Sequence, residues 1–381
     1  MVDHEHRPDD VYASLGVRRV INAGGRLTAL GGTTLAPDVA AAMAAAGQQY
    51  VRLGELTDRA GQLIAEYTGA EAACVTTGAA AGIALMTAAC IAGTDPARVA
   101  RLPEVLDERC EVLVQIGHMV SFGAPVAQMI RLGGGRAVPV GWANGVNRDH
   151  LESAIGPRTA AFLYVQSHHT VHKGMLPLAD CLEICHLRGV PFLIDAAAEE
   201  NPRAYVALGA DAVTFSGGKA FGGPTSGFIV GRRDLIAACR AQERGIGRPM
   251  KVGKEAIVGL LTALHLYLNR DDGEVAAEVR RQQRLVEIIR DGLADLPQLE
   301  VAILPDEAGR AIVRAGISLR EPTPGVAARQ LTSFLSEGDP PVYVRGHLVD
   351  QGTVTIDPRP IDERDAQIIV KRIRAFCQRR A

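Results

Sequence analysis

The sequence has almost no net charge, no C-x-x-C pair and no long apolar run. Its 41 basic and 43 acidic side chains leave a formal charge of −2 over 381 residues, which gives no reason to expect binding to nucleic acid or to an anionic membrane. The seven cysteines show no metal-ligand spacing, so we predict no metal site and expect thiols in a reducing cytoplasm. The charged N-terminus lacks the apolar stretch of a secretory signal, and no alanine-rich stretch reaches the roughly 18 apolar residues of a membrane span.

Two short apolar strands that end in polar loops are the most informative part of the sequence. The run 191–194 ends at Asp195, and the run 210–215 leads into a glycine-rich loop that contains Lys219. Open α/β sheets bind ligands at the carboxyl ends of their strands, and lysine forms Schiff bases with carbonyl cofactors. A carboxylate beside it can keep a pyridinium nitrogen protonated, so the pair suits pyridoxal 5′-phosphate (PLP). Each residue alone is also typical of a helix cap or a solvated surface group.

The order of predicted elements indicates an α/β fold. Strand and helix patterns alternate from residue 71 to 215, which predicts a parallel, doubly wound sheet. The strand Phe228–Gly231 follows too closely for a crossover helix, and we expect it to be antiparallel. We divide the chain into an N-terminal arm (1–36), a large PLP-binding domain (37–270) and a small α+β C-terminal domain (271–381) that part of the N-terminal segment completes.

Turn residues predict where the first helices begin and end. A helical pattern runs from Pro37 to Tyr50, with proline in a first turn, where its missing N–H is not needed. We expect Gly54 to Thr57 to interrupt the helical pattern. Thr57 would then cap a second helix from Asp58 to Thr68.

A strand, a loop of small residues and the start of a helix follow one another around Gly78. Thr77, Gly78, Ala79 and Ala80 lie at this junction. The free N–H groups and the positive end of the dipole at a helix N-terminus favour an anion such as phosphate. Close packing of the helix is the alternative explanation for the small residues.

Motifs spread over nearly the whole chain resemble those of fold-type I PLP enzymes. More narrowly, the chain resembles the branch that contains bacterial selenocysteine synthase and D-glucosaminate-6-phosphate ammonia-lyase. The segments that carry the resemblance occur in the expected order: Ile21–Gly25, Thr77–Gly82, Gln115–His118, Ser167–Gly174, Asp195, Ser216–Lys219 and Ile356–Arg359. The resemblance implies an aspartate aminotransferase-like fold with a mostly parallel seven-stranded sheet, PLP bound through a Lys219 Schiff base, and a homodimer or higher homo-oligomer.

The resemblance also implies roles for individual residues. The expected catalytic residues are Lys219, Asp195 and His169. The expected cofactor-binding residues are Thr77, Gly78, Ala79, Ala80, His118, Asp195, Ser216, Lys219 and Lys251, with His118 covering the ring and Lys251 in a basic segment that in this branch sometimes reaches across a dimer. The expected substrate-binding residues are Arg26, His168, His172, Arg248, Arg345 and Arg359. Alternatives remain open: a helix-capping His118, loop histidines that face solvent or bind zinc, and surface ion pairs for the two C-terminal arginines.

The expected function is α,β-elimination on a β-hydroxy amino acid or amino sugar acid, which yields a 2-keto acid and ammonia. Selenocysteine synthase carries an extra N-terminal region for its tRNA, whereas this chain starts almost directly on the segment Val20–Gly25, so we expect a small-molecule substrate. Racemisation, aldol cleavage, transamination and selenium or sulfur transfer are the alternatives within the PLP class. A non-catalytic PLP-fold binding protein and a metal hydrolase that uses the histidines are the alternatives outside it.

Overall fold

The structure is a computed structural model that describes residues 11–105, 109–167, 170–306, 311–320 and 325–379. It divides into two units, which we call the large unit and the small unit. The large unit is Leu35–Asn269, and the small unit contains the described residues before it together with those from Arg270 onward. The strands of both units are β1 Ile21–Ala23, β2 Ala72–Thr76, β3 Glu111–Gln115, β4 Arg136–Val140, β5 Thr159–Val165, β6 Phe192–Asp195, β7 Ala212–Ser216, β8 Gly227–Gly231, β9 Leu299–Pro305, β10 Val313–Leu319, β11 Val342–Val344 and β12 Thr353–Ile356.

The helices alternate with the strands through most of the large unit. They are α1 Pro37–Gly47, α2 Leu53–Thr68, α3 Ala79–Ala92, α4 Pro96–Arg101, α5 Val126–Leu132, α6 Arg148–Ala154, α7 Leu178–Leu187, α8 Ala204–Ala207, α9 Arg233–Ala241, α10 Lys254–Leu268, α11 Asp272–Leu293, α12 Val326–Ser336 and α13 Glu363–Gln378. In the described part of the chain, none of them combines the length and the apolar character that crossing a bilayer requires.

The large unit is built on a seven-stranded sheet in the order β2-β8-β7-β6-β5-β3-β4. Strand β8 is antiparallel to both of its neighbours, and the remaining pairs are parallel. Successive side chains of a strand point to opposite faces, and β5 shows the result: Phe162 and Tyr164 join one buried core, while Leu163 joins a second core. The apolar strand runs therefore reflect burial on both faces, as the sequence predicted.

Small residues fix the start of α3 against the sheet. A Cβ atom on Gly82, one turn into α3, would collide with the side chain of Thr214 on β7. A Cβ atom on Gly227, the first residue of β8, would lie 2.8 Å from the Cα atom of Gly78. Because both glycines allow this close approach, the N-terminus of α3 is held beside the carboxyl end of β7.

The predicted boundary between the first two helices was wrong. Helix α2 already begins at Leu53, so Gly54 and Thr57 lie inside it rather than between helices. The Thr57 hydroxyl donates to the Leu53 carbonyl instead of capping a helix. The amphipathic pattern that buries Ala60 and Ile64 extends the helix upstream, and a glycine in a first turn costs too little to stop it.

The described residues of the small unit form two small sheets and three α-helices. Strands β12, β10 and β9 form an antiparallel sheet, and β1 pairs in parallel with β11. The core includes Ile21 from β1 together with Ile289 from α11 and Ile369 from α13. The backbone N–H of Asp357 donates to the carbonyl of Ala23 at 2.8 Å. Residues from both ends of the sequence thus form one core.

Candidate active site

Asp195 and Lys219 lie at the carboxyl ends of adjacent strands of the large sheet. Asp195 ends β6, is 5% exposed, and accepts a hydrogen bond from the Ala197 N–H at 3.1 Å. Burial raises the pKa of Asp195 to about 6, although the Lys219 charge and the Ala197 hydrogen bond act in the opposite direction. Burial also lowers the pKa of Lys219, and the Asp195 charge opposes that change. The two groups therefore interact electrostatically in a site that is largely shielded from water.

The strand ends in this region are joined by backbone hydrogen bonds. The Gln166 N–H donates to the Asp195 carbonyl at 2.8 Å, which connects β5 to β6. Beyond β6, the Ser216 N–H donates to the Ala197 carbonyl at 3.3 Å. Ser216 is partly buried at the end of β7 and leads into the Lys219 loop. The loops that carry Asp195 and Lys219 are thus fixed to each other.

The N-terminus of α3 offers free N–H groups at the same edge of the sheet. No side chain caps this helix, and the N–H groups of Ala79, Ala80 and Ala81 have no hydrogen-bond partner among the described residues. A Cβ atom on Gly78 would meet nothing within 4 Å, so the space in front of the helix is open. Thr77 is partly buried just before Gly78. Free N–H groups at the positive end of a helix dipole bind phosphate.

His118 is fully buried beyond the end of β3, with a fixed proton position. Its Nδ1 accepts a hydrogen bond from the Val165 N–H at 3.2 Å, so its proton is on Nε2. Burial, together with a smaller effect of nearby His172, lowers the pKa of His118 to about 4. Its Nε2 has no partner within the described part of the chain. His118 does not cap α5, whose cap residue is Pro125, and its place over a cofactor ring stays a prediction.

His172 lies next to His118. The centroids of the two rings are 5.8 Å apart, and the ring planes are nearly perpendicular. The Nε2 atom of His172 is 2.9 Å from the Thr170 hydroxyl and 3.3 Å from the Ser167 carbonyl. The structure therefore brings His172 to the strand ends that also carry Asp195. His168 and His169 lie outside the described residues.

The basic segment before α10 is exposed. Arg248 and Lys251 face solvent, and no side-chain hydrogen bond or ion pair links either of them to another residue that the structure describes. Lys254 differs from both, because its Nζ donates to the carbonyls of Ala46 and Gly47 at 2.8 and 3.1 Å. Lys254 thus ties the start of α10 to the end of α1, whereas the other two cations are left available for a ligand or a second chain.

The remaining predicted substrate residues, Arg26, Arg345 and Arg359, belong to the small unit. Arg359 Nε and Nη2 donate to the two carboxylate oxygens of Asp357 at 2.9 and 2.7 Å. Asp357 also accepts from Arg314 Nε at 3.1 Å, and Arg314 is only 2% exposed. Burial alone would raise the pKa of Asp357, but Arg359 and Arg314 hold it at about 2. Arg359 is therefore fixed along one edge of its guanidinium group, and its Nη1 has no hydrogen-bond partner among the described residues.

Three residues that contact predicted site residues or fix their loops were not assigned a role from the sequence. Gln115 exchanges two hydrogen bonds with the backbone of Leu176, at 3.1 and 2.7 Å, and so fixes the end of the histidine loop. The Tyr164 ring contacts His118 at a centroid distance of 4.4 Å. Buried Arg314 is the second residue of the otherwise largely apolar strand β10, which is an unusual place for arginine. An arginine within an apolar run is the feature of the sequence that could have indicated a buried ion pair.

These residues fit PLP. The open helix N-terminus suits a phosphate, and the buried Asp195 suits a protonated ring nitrogen. The unpartnered Nε2 of buried His118 is a polar atom that a ligand would satisfy. Among the described residues no group of three or more His, Cys, Asp or Glu side chains could hold a metal ion.

The fold and the site define a fold-type I, PLP-dependent enzyme with an aspartate aminotransferase-like fold. Residues 20–281 match the family described as SelA, L-seryl-tRNA selenium transferase. The chain belongs to this family.

Two relatives resemble the chain over almost its whole length. It is 43% identical to a D-glucosaminate-6-phosphate ammonia lyase of Salmonella typhimurium, over 98% of this chain and 99% of the relative. It is 44% identical to a 5′-C-glycyluridine monooxygenase-decarboxylase of a Streptomyces species, over 95% of this chain and 90% of the relative. A solved structure of D-glucosaminate-6-phosphate ammonia-lyase matches with a TM-score of 0.88 and 43% identity, over 97% of this chain and 98% of that one.

Proposed function

We propose that this protein is a PLP-dependent ammonia-lyase that converts a β-hydroxy amino acid or amino sugar acid into a 2-keto acid and ammonia. The observation that carries the proposal is the Asp195–Lys219 pair beside an open helix N-terminus, in a chain 43% identical to an ammonia lyase over 98% of its length. D-Glucosaminate 6-phosphate, the compound in that relative's name, is the first substrate to test.

In this proposal, one group of residues binds the cofactor, and Lys219 both attaches it and transfers a proton. The N–H groups at the start of α3 bind the cofactor phosphate, and Ser216 and Thr77 lie beside them as further donors. Asp195 keeps the ring nitrogen protonated, and Lys219 provides the amine through which the cofactor is attached. When bound, the protonated cofactor withdraws electrons from the α-carbon of the substrate and so acidifies its proton. Lys219 Nζ accepts that proton, since burial lowers its pKa and so favours the unprotonated amine.

Several assignments from the sequence remain part of this proposal. Lys251 and Arg248, both exposed, are proposed to contact the cofactor phosphate or the substrate, in a homodimer or higher oligomer. His168, His169, Arg26, Arg345 and Arg359 are proposed for the substrate and for catalysis, as the resemblance implies. All seven cysteines are free thiols, which supports a place in the reducing cytoplasm.

The 44% identity to a monooxygenase-decarboxylase supports a second candidate, oxidative decarboxylation of an amino acid carried on a nucleoside. Both reactions use a lysine-bound cofactor, but they break different bonds at the α-carbon and need different co-reactants. Elimination releases ammonia and consumes no oxygen. Oxidative decarboxylation consumes oxygen and releases carbon dioxide.

The test is a substrate panel assayed with and without oxygen. The panel contains D-glucosaminate 6-phosphate, its unphosphorylated form, small β-hydroxy amino acids of both configurations, and 5′-C-glycyluridine. Ammonia and 2-keto acid are measured in parallel with oxygen uptake and carbon dioxide. We expect ammonia and keto acid in equal amounts without oxygen, and no product from the Lys219→Ala variant. Oxygen-dependent carbon dioxide release from the nucleoside, with no ammonia from the hydroxy acids, would refute the elimination in favour of the second candidate.

A further inference from the structure

The hydrogen bonds around His172 determine which of its nitrogens carries a proton. The Thr170 hydroxyl has a single hydrogen, and it donates that hydrogen to the Ser167 carbonyl at 2.5 Å. Toward His172 the same hydroxyl oxygen can therefore act only as an acceptor. The Ser167 carbonyl, which also faces Nε2, is an acceptor as well. Two acceptors at one nitrogen require a hydrogen there, so His172 is protonated on Nε2.

The other ring nitrogen of His172, Nδ1, is consequently the one that gains and loses a proton. In the neutral ring Nδ1 holds a lone pair, and in the charged ring it holds a second N–H. The Nε2–H bonds to Thr170 and Ser167 persist in both states and orient the ring. No residue that the structure describes forms a hydrogen bond to His172 Nδ1. His172 can thus transfer a proton at Nδ1 without turning its ring.

The neighbouring His118 is the opposite case. It is buried, its Nδ1 is occupied by the Val165 N–H, and it presents a proton only at Nε2. If the neutral His118 ring gave up its Nε2 proton, it would become an imidazolate anion. That anion is far too basic for His118 to act as an acid. Of the two described histidines at this edge of the sheet, only His172 is built for proton transfer.

His172 lies on a loop that is two strands away in the sheet from the loop of Lys219. It follows β5, and Lys219 follows β7, with β6 between them. Neighbouring strands are about 4.8 Å apart, so the two strand ends are separated by about 10 Å. A substrate whose α-carbon faces Lys219 can extend its next carbons and their hydroxyl groups toward His172 across such a gap.

We propose that His172 Nδ1 is the acid that protonates the leaving β-hydroxyl group. This assignment rests on the proposed elimination and extends it, since a hydroxyl group leaves readily only as water. The Cα–H bond breaks and its proton moves to Lys219 Nζ, while its electron pair forms the Cα–Cβ double bond. The Cβ–O bond breaks with its electron pair on oxygen, and that oxygen takes the proton from Nδ1 to leave as water. The exposed ring then regains a proton from solvent, and Lys219 loses its proton in the later steps that release ammonia.

The leaving group is the variable that tests this role. We would compare the best hydroxy substrate with its β-chloro analogue on the same carbon skeleton, because chloride leaves without a proton. His172→Gln places an amide near the Nε2 position, which can keep the bonds to Thr170 and Ser167 but has no titrating nitrogen. We expect this variant to lower turnover of the hydroxy substrate about 10²–10⁴-fold, the usual contribution of general acid catalysis, and turnover of the chloro analogue by less than about threefold.

Thr170→Val is the matched control, because it removes one acceptor from Nε2 and leaves Nδ1 in place. We expect it to lower both reactions to a similar and small extent, by less than about tenfold. Absorbance of the bound cofactor in each purified holoenzyme shows whether the variant has kept its site. A readout that does not depend on turnover is the ¹⁵N spectrum of histidine-labelled holoenzyme, in which the resonances missing from His172→Gln identify His172. We expect the neutral ring to carry its proton on Nε2.

Three results would overturn the proposal. Equal losses with the hydroxy and chloro substrates in His172→Gln would show a structural role only. Full activity of that variant on the hydroxy substrate, or a neutral His172 protonated on Nδ1, would show that another group is the acid. If the unaltered enzyme eliminates neither hydroxyl nor chloride, the proposed function itself fails and this assignment falls with it.

Discussion

Replacing the buried Asp195 by asparagine should stabilise the cofactor-free protein at neutral pH. The amide oxygen of the new side chain can still accept the Ala197 N–H, which lies 3.1 Å from the carboxylate, so the change removes little except the charge. Burial raises the pKa of Asp195 from 3.8 to about 6, despite the opposing Lys219 charge. The folded protein therefore binds this proton more tightly than the unfolded chain does. The resulting stability is fully present below pH 3.8 and is lost as the pH rises through 6.

The size of the effect follows from the two pKa values. The gap between 3.8 and about 6 corresponds to about 3 kcal/mol at 1.36 kcal/mol per pH unit. At pH 8 we therefore expect Asp195→Asn to raise the free energy of unfolding by about 3 kcal/mol, and at pH 4 to change it by less than about 1 kcal/mol. The same variant should bind PLP more weakly, because asparagine does not hold the ring nitrogen protonated.

The assay is urea unfolding of the cofactor-free protein between pH 4 and pH 8, with equal m-values required for the comparison. Asp357→Asn is the control of opposite sign. Arg359 and Arg314 hold the pKa of Asp357 at about 2 despite its burial, so its charge stabilises the fold above pH 3.8 and this contribution is lost as the pH falls through 2. That variant should lose at least about 2 kcal/mol at pH 8. A cofactor-free Asp195→Asn variant that is no more stable than the unaltered chain at pH 8 would refute the reasoning.

Three further changes test individual contacts within the two units, each by urea unfolding. Arg314→Met should lower the free energy of unfolding by about 3–5 kcal/mol, because it removes the buried guanidinium group that pairs with Asp306 at 2.8 Å and with Asp357 at 3.1 Å; a loss below about 1 kcal/mol would contradict this. Gly82→Ala should cost about 1–3 kcal/mol through its collision with the Thr214 side chain, and a second change, Thr214→Ala, should restore part of that loss; no rescue would show that the collision is not the cause. Lys254→Met should cost about 1 kcal/mol, because two carbonyls at the end of α1 lose their donor, and an unchanged midpoint would show that water replaces the ammonium group without cost.

The strands, and the positions of Asp195 and Lys219 after neighbouring strands, could be predicted because their signals are local. The strand that ends at Asp195 is a continuous apolar run, which reflects burial on both faces of a parallel sheet. The position of Lys219 after the next strand then followed from the rule that parallel strands end at one edge. The small residues after Thr77 predicted the free helix N-terminus. The antiparallel strand Gly227–Gly231 followed from the short connection before it.

Features that depend on distant contacts could not be predicted. The start of α2 was placed too late, because Gly54 and Thr57 resemble turn residues until the buried face of the helix is known. The proton positions of His118 and His172 are set by Val165, Ser167 and Thr170 through contacts that only the folded loops create. No periodicity or spacing in the sequence encodes them. The orientation of Arg359 depends in the same way on side chains that converge from separate strands.

The pairing of β1 with β11 has a consequence for synthesis on the ribosome. Strand β1 ends at Ala23, and its partner begins at Val342, so 318 residues must be added after β1 before synthesis of its partner starts. At about 5–20 residues per second, that interval lasts roughly 15–60 s. During it, Ile21 and Ala23 have no partner to cover them, although both are buried in the finished protein. The segment Leu35–Asn269 is complete long before that. The large unit can therefore fold while the small unit still lacks the C-terminal residues that complete its core.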